Sequence, residues 1–135
     1  MTEFKGTTAV EAVTEAARLV GGDRGRTHGN KHDNFTKIGR IWNAYLRNSN
    51  PAHVALSPDQ VADMMELMKV ARRQSGEFNP DDYVDGAGYA GVAFEVRVEE
   101  QRLKDSIKAA LDDWATRPFE GPLSGTLVVM NEEPS

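Results

Sequence analysis

Two acidic pairs of identical spacing, Asp63-x-x-Glu66 and Asp82-x-x-Asp85, are the residues of this chain best placed to do chemistry. Carboxylates three positions apart share a helix face. Two such faces meeting across a helical hairpin make an oxygen-rich nest suited to Mg²⁺, which takes a few carboxylates and keeps water or substrate phosphates as its other ligands. Without a cation the nest is unfavourable. One pair of carboxylates about 6 Å apart costs roughly 3 kcal/mol at an effective dielectric near 20. Convergence therefore requires metal or arginine. Lys69 and Arg72, one turn apart, either neutralise the aspartates or hold phosphate, and the arginine fork suits both tasks.

The four acids differ in setting. On a helical wheel Asp63 and Glu66 point away from the stripe of Met64, Met65 and Met68, and Lys69 stands three residues after Glu66 as a surface partner. A solvated face is the simpler reading of those two. Asp82 takes the third position of a helix opened by Asn79–Pro80, where an acid relieves free N–H groups and the helix dipole. Asp85 lies beyond the cap. At about 100° per residue, Tyr83, Val84, Ala87, Ala90, Gly91, Phe94 and Val98 form one apolar stripe. Asp85, Tyr89, Val92 and Val96 form a second, nearly opposite, with Asp82 at its edge. A helix apolar on two sides is expected to be covered on both, and a carboxylate under such cover needs a cation or hydrogen-bond donors.

The polar loop of residues 23–32 is the other candidate. Its glycines leave backbone N–H groups accessible, and Arg24, Arg26, His28 and Lys31 can steer an anion towards them. Asn34 follows on the same helical side as Ile38, Ile41 and Tyr45, where an amide should be hydrogen-bonded. A structured connector capped by Asp33 or Asn34 accounts for the same residues. His53 reads as an isolated, exposed loop residue. No phosphate-loop, dinucleotide or nucleophile motif is present.

Four or five helices must position these groups. The first spans about residues 8–20 and stops at Gly21–Gly22; the second, about 33–46, is expected to bury Phe35, Ile38, Ile41, Trp42, Tyr45 and Leu46. The third starts at Ser57–Pro58, with Gln60 completing a capping box, and runs to about residue 74 with Val61, Met64, Met65, Met68 and Ala71 inward. The fourth starts at Asn79–Pro80 and meets no strong breaker before Pro118, so it can run on through Leu103, Ile107, Leu111 and Trp114. The fold class is all-α: a bundle of four to five helices forming one domain over residues 1–117. An irregular tail follows at 118–135, in which residues 126–130 could be a short strand.

Composition narrows the class. With 39% hydrophobic and 27% charged residues the chain reads as globular, with no apolar run of membrane-spanning length. The N-terminus lacks a signal-peptide core, and zero cysteines leave no disulfide or thiolate site, so a cytoplasmic location is expected. A net charge of −5 argues against strong nucleic-acid binding through phosphates.

The run Gly22–Asp23–Arg24, His28–Gly29, Asn34–Phe35, Ile38, Ile41–Trp42 and Tyr45–Leu46 resembles a family of small phage and prophage proteins. Ser57–Pro58, Val61, Met64–Met65, Lys69–Val70–Ala71–Arg72, Asp82, Val84–Asp85 and Ala87–Gly88–Tyr89–Ala90 continue the likeness, which covers about residues 13–93. Such phage proteins are often described as MazG-like, similar to all-α nucleoside triphosphate pyrophosphohydrolases. The resemblance implies a helical hairpin carrying E-x-x-E and E-x-x-D around Mg²⁺, and a metal-activated water that releases a monophosphate and pyrophosphate. Asp63, Glu66, Asp82 and Asp85 would be the metal ligands, with Asp for Glu at two positions and Glu66, Asp82 and Asp85 in the catalytic roles. His28 stands where the phage proteins usually carry tyrosine, and Asn30 where they carry aspartate. Asp23, Arg24, His28, Asn34, Lys69, Arg72 and Tyr89 would meet a nucleotide, with Trp42 as a second ring for the base. The resemblance further implies a homodimer or homotetramer. The alternative is a non-catalytic phage factor that sequesters a nucleotide or engages a host protein.

Overall fold

The computed structural model describes residues 3–22 and 30–118. These form four helices, α1 (Ala9–Gly21), α2 (Lys31–Ser49), α3 (Pro58–Arg73) and α4 (Pro80–Thr116), with no strand among the described residues. The all-α expectation holds at that level. No described helix is long and apolar enough to cross a membrane.

Each start has a local cause. Thr8 caps α1 in a reciprocal box with Glu11, whose Oε2 accepts from the Thr7 and Thr8 N–H groups at 2.9 Å. Asn30, not Asp33 or Asn34, caps α2 by accepting from the His32 N–H at 2.8 Å, so that helix begins two residues before the expected start. Gln60 Oε1 accepts from Ser57 N–H at 2.9 Å at the head of α3. Asn79 caps α4 with Pro80 in the first turn. Between α3 and α4 the chain turns at Gly76, whose φ of 88° suits a residue without Cβ.

The long α4 is the spine. α3 packs along its first half, α1 and α2 also lie against it, and α2 contacts α3. Phe35, Val61, Ala62, Val92, Ala93 and Val96 make the buried core, flanked by Val20, Ile38, Trp42, Leu56, Met65 and Tyr89. α2 and α3 approach closely at buried Gly39, where an added Cβ would lie 3.3 Å from Val61 Cγ2.

Several expected faces are rotated. On α3 the inward side is Val61, Ala62, Met65 and Lys69, while Met64, Met68 and Ala71 are exposed. A partnered lysine occupies the place the methionine stripe was expected to take. On α2, Ile41 and Tyr45 are exposed. On α4 the stripe with Tyr89, Val92 and Val96 is the core face, joined by Val84, whereas Tyr83, Phe94 and Val98 are open. Among the described residues the helix is therefore covered on one of its two apolar sides. His53 is also not isolated: its Nε2 lies 2.9 Å from Asn43 Oδ1. Asn43 further receives the Leu56 N–H at 2.8 Å and donates to the Leu56 carbonyl at 3.1 Å, fastening the α2–α3 connection.

Candidate functional site

Charge and cavity meet on the first three turns of α4. Asp82 is 4% exposed and Lys69, facing it from α3, is 9% exposed. Neither charge could be buried at that level alone. Lys69 Nζ lies 2.7 Å from Asp85 Oδ2 and 3.8 Å from Asp82 Oδ1, so one ammonium bridges both aspartates of the pair. Arg72, itself half-exposed, closes the group from outside with Nε 3.3 Å from Asp82 Oδ1. Arg73 donates from Nε and Nη2 to the Asp82 carbonyl at 3.2 and 2.9 Å and lays its guanidinium 4.4 Å from the Tyr83 ring centre. Gly86 leaves room for that guanidinium, because a Cβ there would collide with Arg73 Nη2. Of the two tasks open to Lys69 and Arg72, neutralising the α4 aspartates is the one this geometry performs.

Asp85 has a second side. It is one of the polar groups in the wall of a cavity of about 300 Å³ between α1, α2 and α4. Ala16, Leu19 and Val20 supply the α1 wall; Lys31, Asn34, Phe35 and Ile38 the α2 wall; Val84, Asp85, Gly88, Tyr89 and Val92 the α4 wall, with Met65 from α3. Asn34 and Tyr89 thus stand with Asp85, as an arrangement for one ligand requires. Trp42 packs on the core and is not among the cavity residues. Lys31, also in the wall, is held by Glu95 at 2.9–3.0 Å and is shared with a neighbouring polar hollow lined by Asn30, His32, Glu95 and Glu99.

The other acidic pair stays apart. Asp63 is exposed and Glu66 half-exposed, and the expected surface partner of Glu66, Lys69, is engaged with α4 instead. Among the described residues no three of Asp, Glu and His gather as a metal nest. Asp23, Arg24 and His28, the candidate phosphate-binding loop, lie outside the described residues, as does the candidate strand at 126–130.

Sequence reasoning passed over a second carboxylate contact, Asp59 with Glu100. Burial raises the Glu100 pKa first, and hydrogen bonding and charge from Asp59 add to it, against weaker opposition from Lys104 and His32. For Asp59 burial pushes upward, yet hydrogen bonds from Ser57, Glu100 and its own N–H, with nearby Arg97, outweigh it and hold the carboxyl below its ordinary range. Asp59 and Glu100 lie on different helices 41 positions apart, and no spacing rule joins them. Lys31, an anion-steering loop residue by sequence, is the first residue of α2 and lines the cavity.

Among known proteins, the chain is similar to the "Gene 55 protein" of Mycobacterium phage L5, 35% identical over 88 residues, which are 65% of this chain and 53% of that protein. It is also similar to the "Gene 55 protein" of Mycobacterium phage D29, 36% identical over 85 residues, 63% of this chain and 52% of that one. The chain spans about half the length of these curated relatives. No solved structure matches it. Residues 11–97, which contain the whole Lys69–Asp82–Asp85 group and the cavity wall, match one family model, and the chain belongs to that phage-represented family, described as Domain of unknown function (DUF6378).

Proposed function

We propose that the cavity between α1, α2 and α4 binds a nucleotide. The observation that carries this reading is a cavity of about 300 Å³, mostly apolar, with Lys31, Asn34 and Asp85 at its wall. That combination of an apolar body and a few placed polar groups is how small-molecule sites are built, and the volume lies at the lower end of their range. Phe35, Ile38 and Val92 offer surface to a flat ring and Tyr89 a ring to stack against. Asn34 can both donate to and accept from a base edge. Asp85, anchored by Lys69, can accept from an exocyclic amine, and Lys31 can exchange part of its hold on Glu95 for a phosphate.

The MazG-like likeness supports the ligand class and belongs to the same proposal. Its Mg²⁺ centre is a poor fit to the described donors. Asp82 and Asp85 already share Lys69, Asp82 also holds Arg72, and Asp63 faces solvent. No hydrolytic step is therefore derived through a metal, and sequestration of the nucleotide is the activity proposed.

The test is thermal unfolding with a panel of ribo- and deoxynucleoside mono-, di- and triphosphates, each with EDTA or with Mg²⁺. A bound nucleotide at a hundred times its Kd stabilises the protein by about 2.7 kcal/mol. The expected result is such a shift in EDTA, lost in Asn34→Ala. No shift with any nucleotide at millimolar concentration would refute binding. Pyrophosphate released in the Mg²⁺ samples and abolished by Asp85→Asn would restore the hydrolase over sequestration.

A further inference from the structure

Past residue 100, α4 runs on with no other helix beside it among the described residues. Every residue from 101 to 116 is exposed, about 24 Å of helix at 1.5 Å per residue. Its sequence is not that of a solvated rod. At 100° per residue, Leu103, Ile107, Ala110, Leu111 and Trp114 fall within about 100° of one another. Val92 and Val96, buried in the chain's own core, lie on the same line. The core stripe of α4 thus continues beyond the helices that cover its first half. There Leu103 is 40% exposed, Ile107 61%, Leu111 60% and Trp114 76%. A contiguous apolar stripe of this kind marks an interaction surface. It lies beyond residue 97, where the family match ends.

The charges say what covers it. Residues 102–108 carry Arg102, Lys104 and Lys108 against Asp105, a net of +2; residues 109–116 carry Asp112 and Asp113, a net of −2. A second copy laid parallel would set like on like. Laid antiparallel, it sets +2 against −2 at both ends. Arg102 and Asp113 also share one flank of the stripe, so an antiparallel two-fold brings Arg102 of each copy to Asp113 of the other. Leu103 then faces Trp114, and Ile107 faces Ala110. Within the chain Arg102 pairs with Glu99 at 2.8 Å and Asp113 with Arg117 at 2.7 Å. Both are exposed pairs along a single helix, which hold little free energy and are easily exchanged.

We infer that the projecting half of α4 is a homodimerisation arm. Two copies pack it antiparallel through Leu103, Ile107, Leu111 and Trp114, with Arg102 and Asp113 setting the direction. The contact is isologous, so each pairing occurs twice.

Sedimentation velocity of the full chain from 1 to 100 µM tests the arm. The expected species is a dimer, with Ile107→Glu monomeric at equal helicity, since Ile107 makes no part of the core. Arg102→Glu and Asp113→Arg should each raise the dissociation constant about tenfold through two lost rim pairs, and the two together should restore it. Direction is read separately. The chain has no cysteine, so a single Gln101→Cys carries one spin label per copy. Antiparallel packing places residue 101 opposite residue 116, separating the labels by about 23 Å along the axis, whereas parallel packing makes them neighbours. A monomer at every concentration, with the stripe covered by the chain's own C-terminal residues or by another protein, would overturn the inference. So would a dimer indifferent to Ile107→Glu, or a short label distance.

Discussion

Replacing Lys69 by methionine tests whether the charge group on α3 and α4 holds the fold. Methionine keeps the apolar stem of the side chain, one atom shorter, but removes the ammonium that bridges Asp85 at 2.7 Å and Asp82 at 3.8 Å. Deleting one member of a buried ionic group typically costs about 3–5 kcal/mol, because the remaining charge keeps its desolvation without its partner. Two features place this case at the lower end. Asp82 retains Arg72 at 3.3 Å, and the Asp85 side chain, 32% exposed, can recover water. A loss of about 3 kcal/mol is therefore expected, equivalent to roughly 12 °C in Tm for a domain of this size. Urea denaturation followed by far-ultraviolet circular dichroism reads it directly. Adding Asp82→Asn to the variant removes the buried carboxylate that has lost one of its two cations and should recover about 1 kcal/mol, the signature of coupled neighbours. If Lys69→Met falls within about 0.5 kcal/mol of the parent, as an ordinary surface change would, the reasoning about the buried charge group is wrong.

Gly86→Ala should destabilise by about 1 kcal/mol, since the new methyl displaces the Arg73 guanidinium from the Asp82 carbonyl. In an Arg73→Met background the same change should stabilise by about 1 kcal/mol through helix propensity alone, and the reversal of sign is readable by thermal unfolding. Asn43→Leu should cost about 2 kcal/mol by leaving both Leu56 backbone groups and His53 without their shared partner, measured by urea denaturation. Glu100→Gln has an effect that depends on pH. The Glu100 pKa is raised on folding, so its contribution is present below the ordinary value of 4.5 and is lost as pH rises through the folded value. The glutamine variant, which keeps a donor towards Asp59, should be more stable than the parent at pH 7. Its advantage should shrink as pH falls through the raised folded value and be gone below about 4.5, measured as Tm against pH. Asp59, whose pKa is lowered, loses its own contribution at still lower pH in both proteins.

Helix existence was legible because caps and breakers are local: Thr8, Ser57–Pro58, Asn79–Pro80 and Gly76 act within a turn. The choice of inward face was less legible, because a wheel ranks residues by hydrophobicity and cannot see partners. Lys69 is buried over Met64 and Met68 because two aspartates await it on another helix. The suspicion raised by Asp85, an acid on the core stripe of α4, led to this group, and Asp82 proved the more deeply buried of the two. Arg73 gave no signal, since its value depends on a gap left by Gly86 thirteen residues later. The α4 length was visible from the missing breaker, but which of its two apolar sides the chain itself covers was not.

The uneven support of α1 has a mechanical meaning. That helix forms one wall of the cavity yet rests chiefly on α4, where Val20 packs so closely on Gly88 that an added Cβ would lie 3.3 Å from Val20 Cγ2, and where the Phe4 N–H reaches Asp81 at 3.3 Å. Its apolar face is thin: Ala16 is its one buried residue, while Val10 and Val13 are open. Elements with so little burial separate from the rest of a fold at lower free energy than its centre. α1 is therefore expected to open at lower free energy than α3 and α4, which are clamped together by their ions, and it is the side from which the proposed nucleotide would enter.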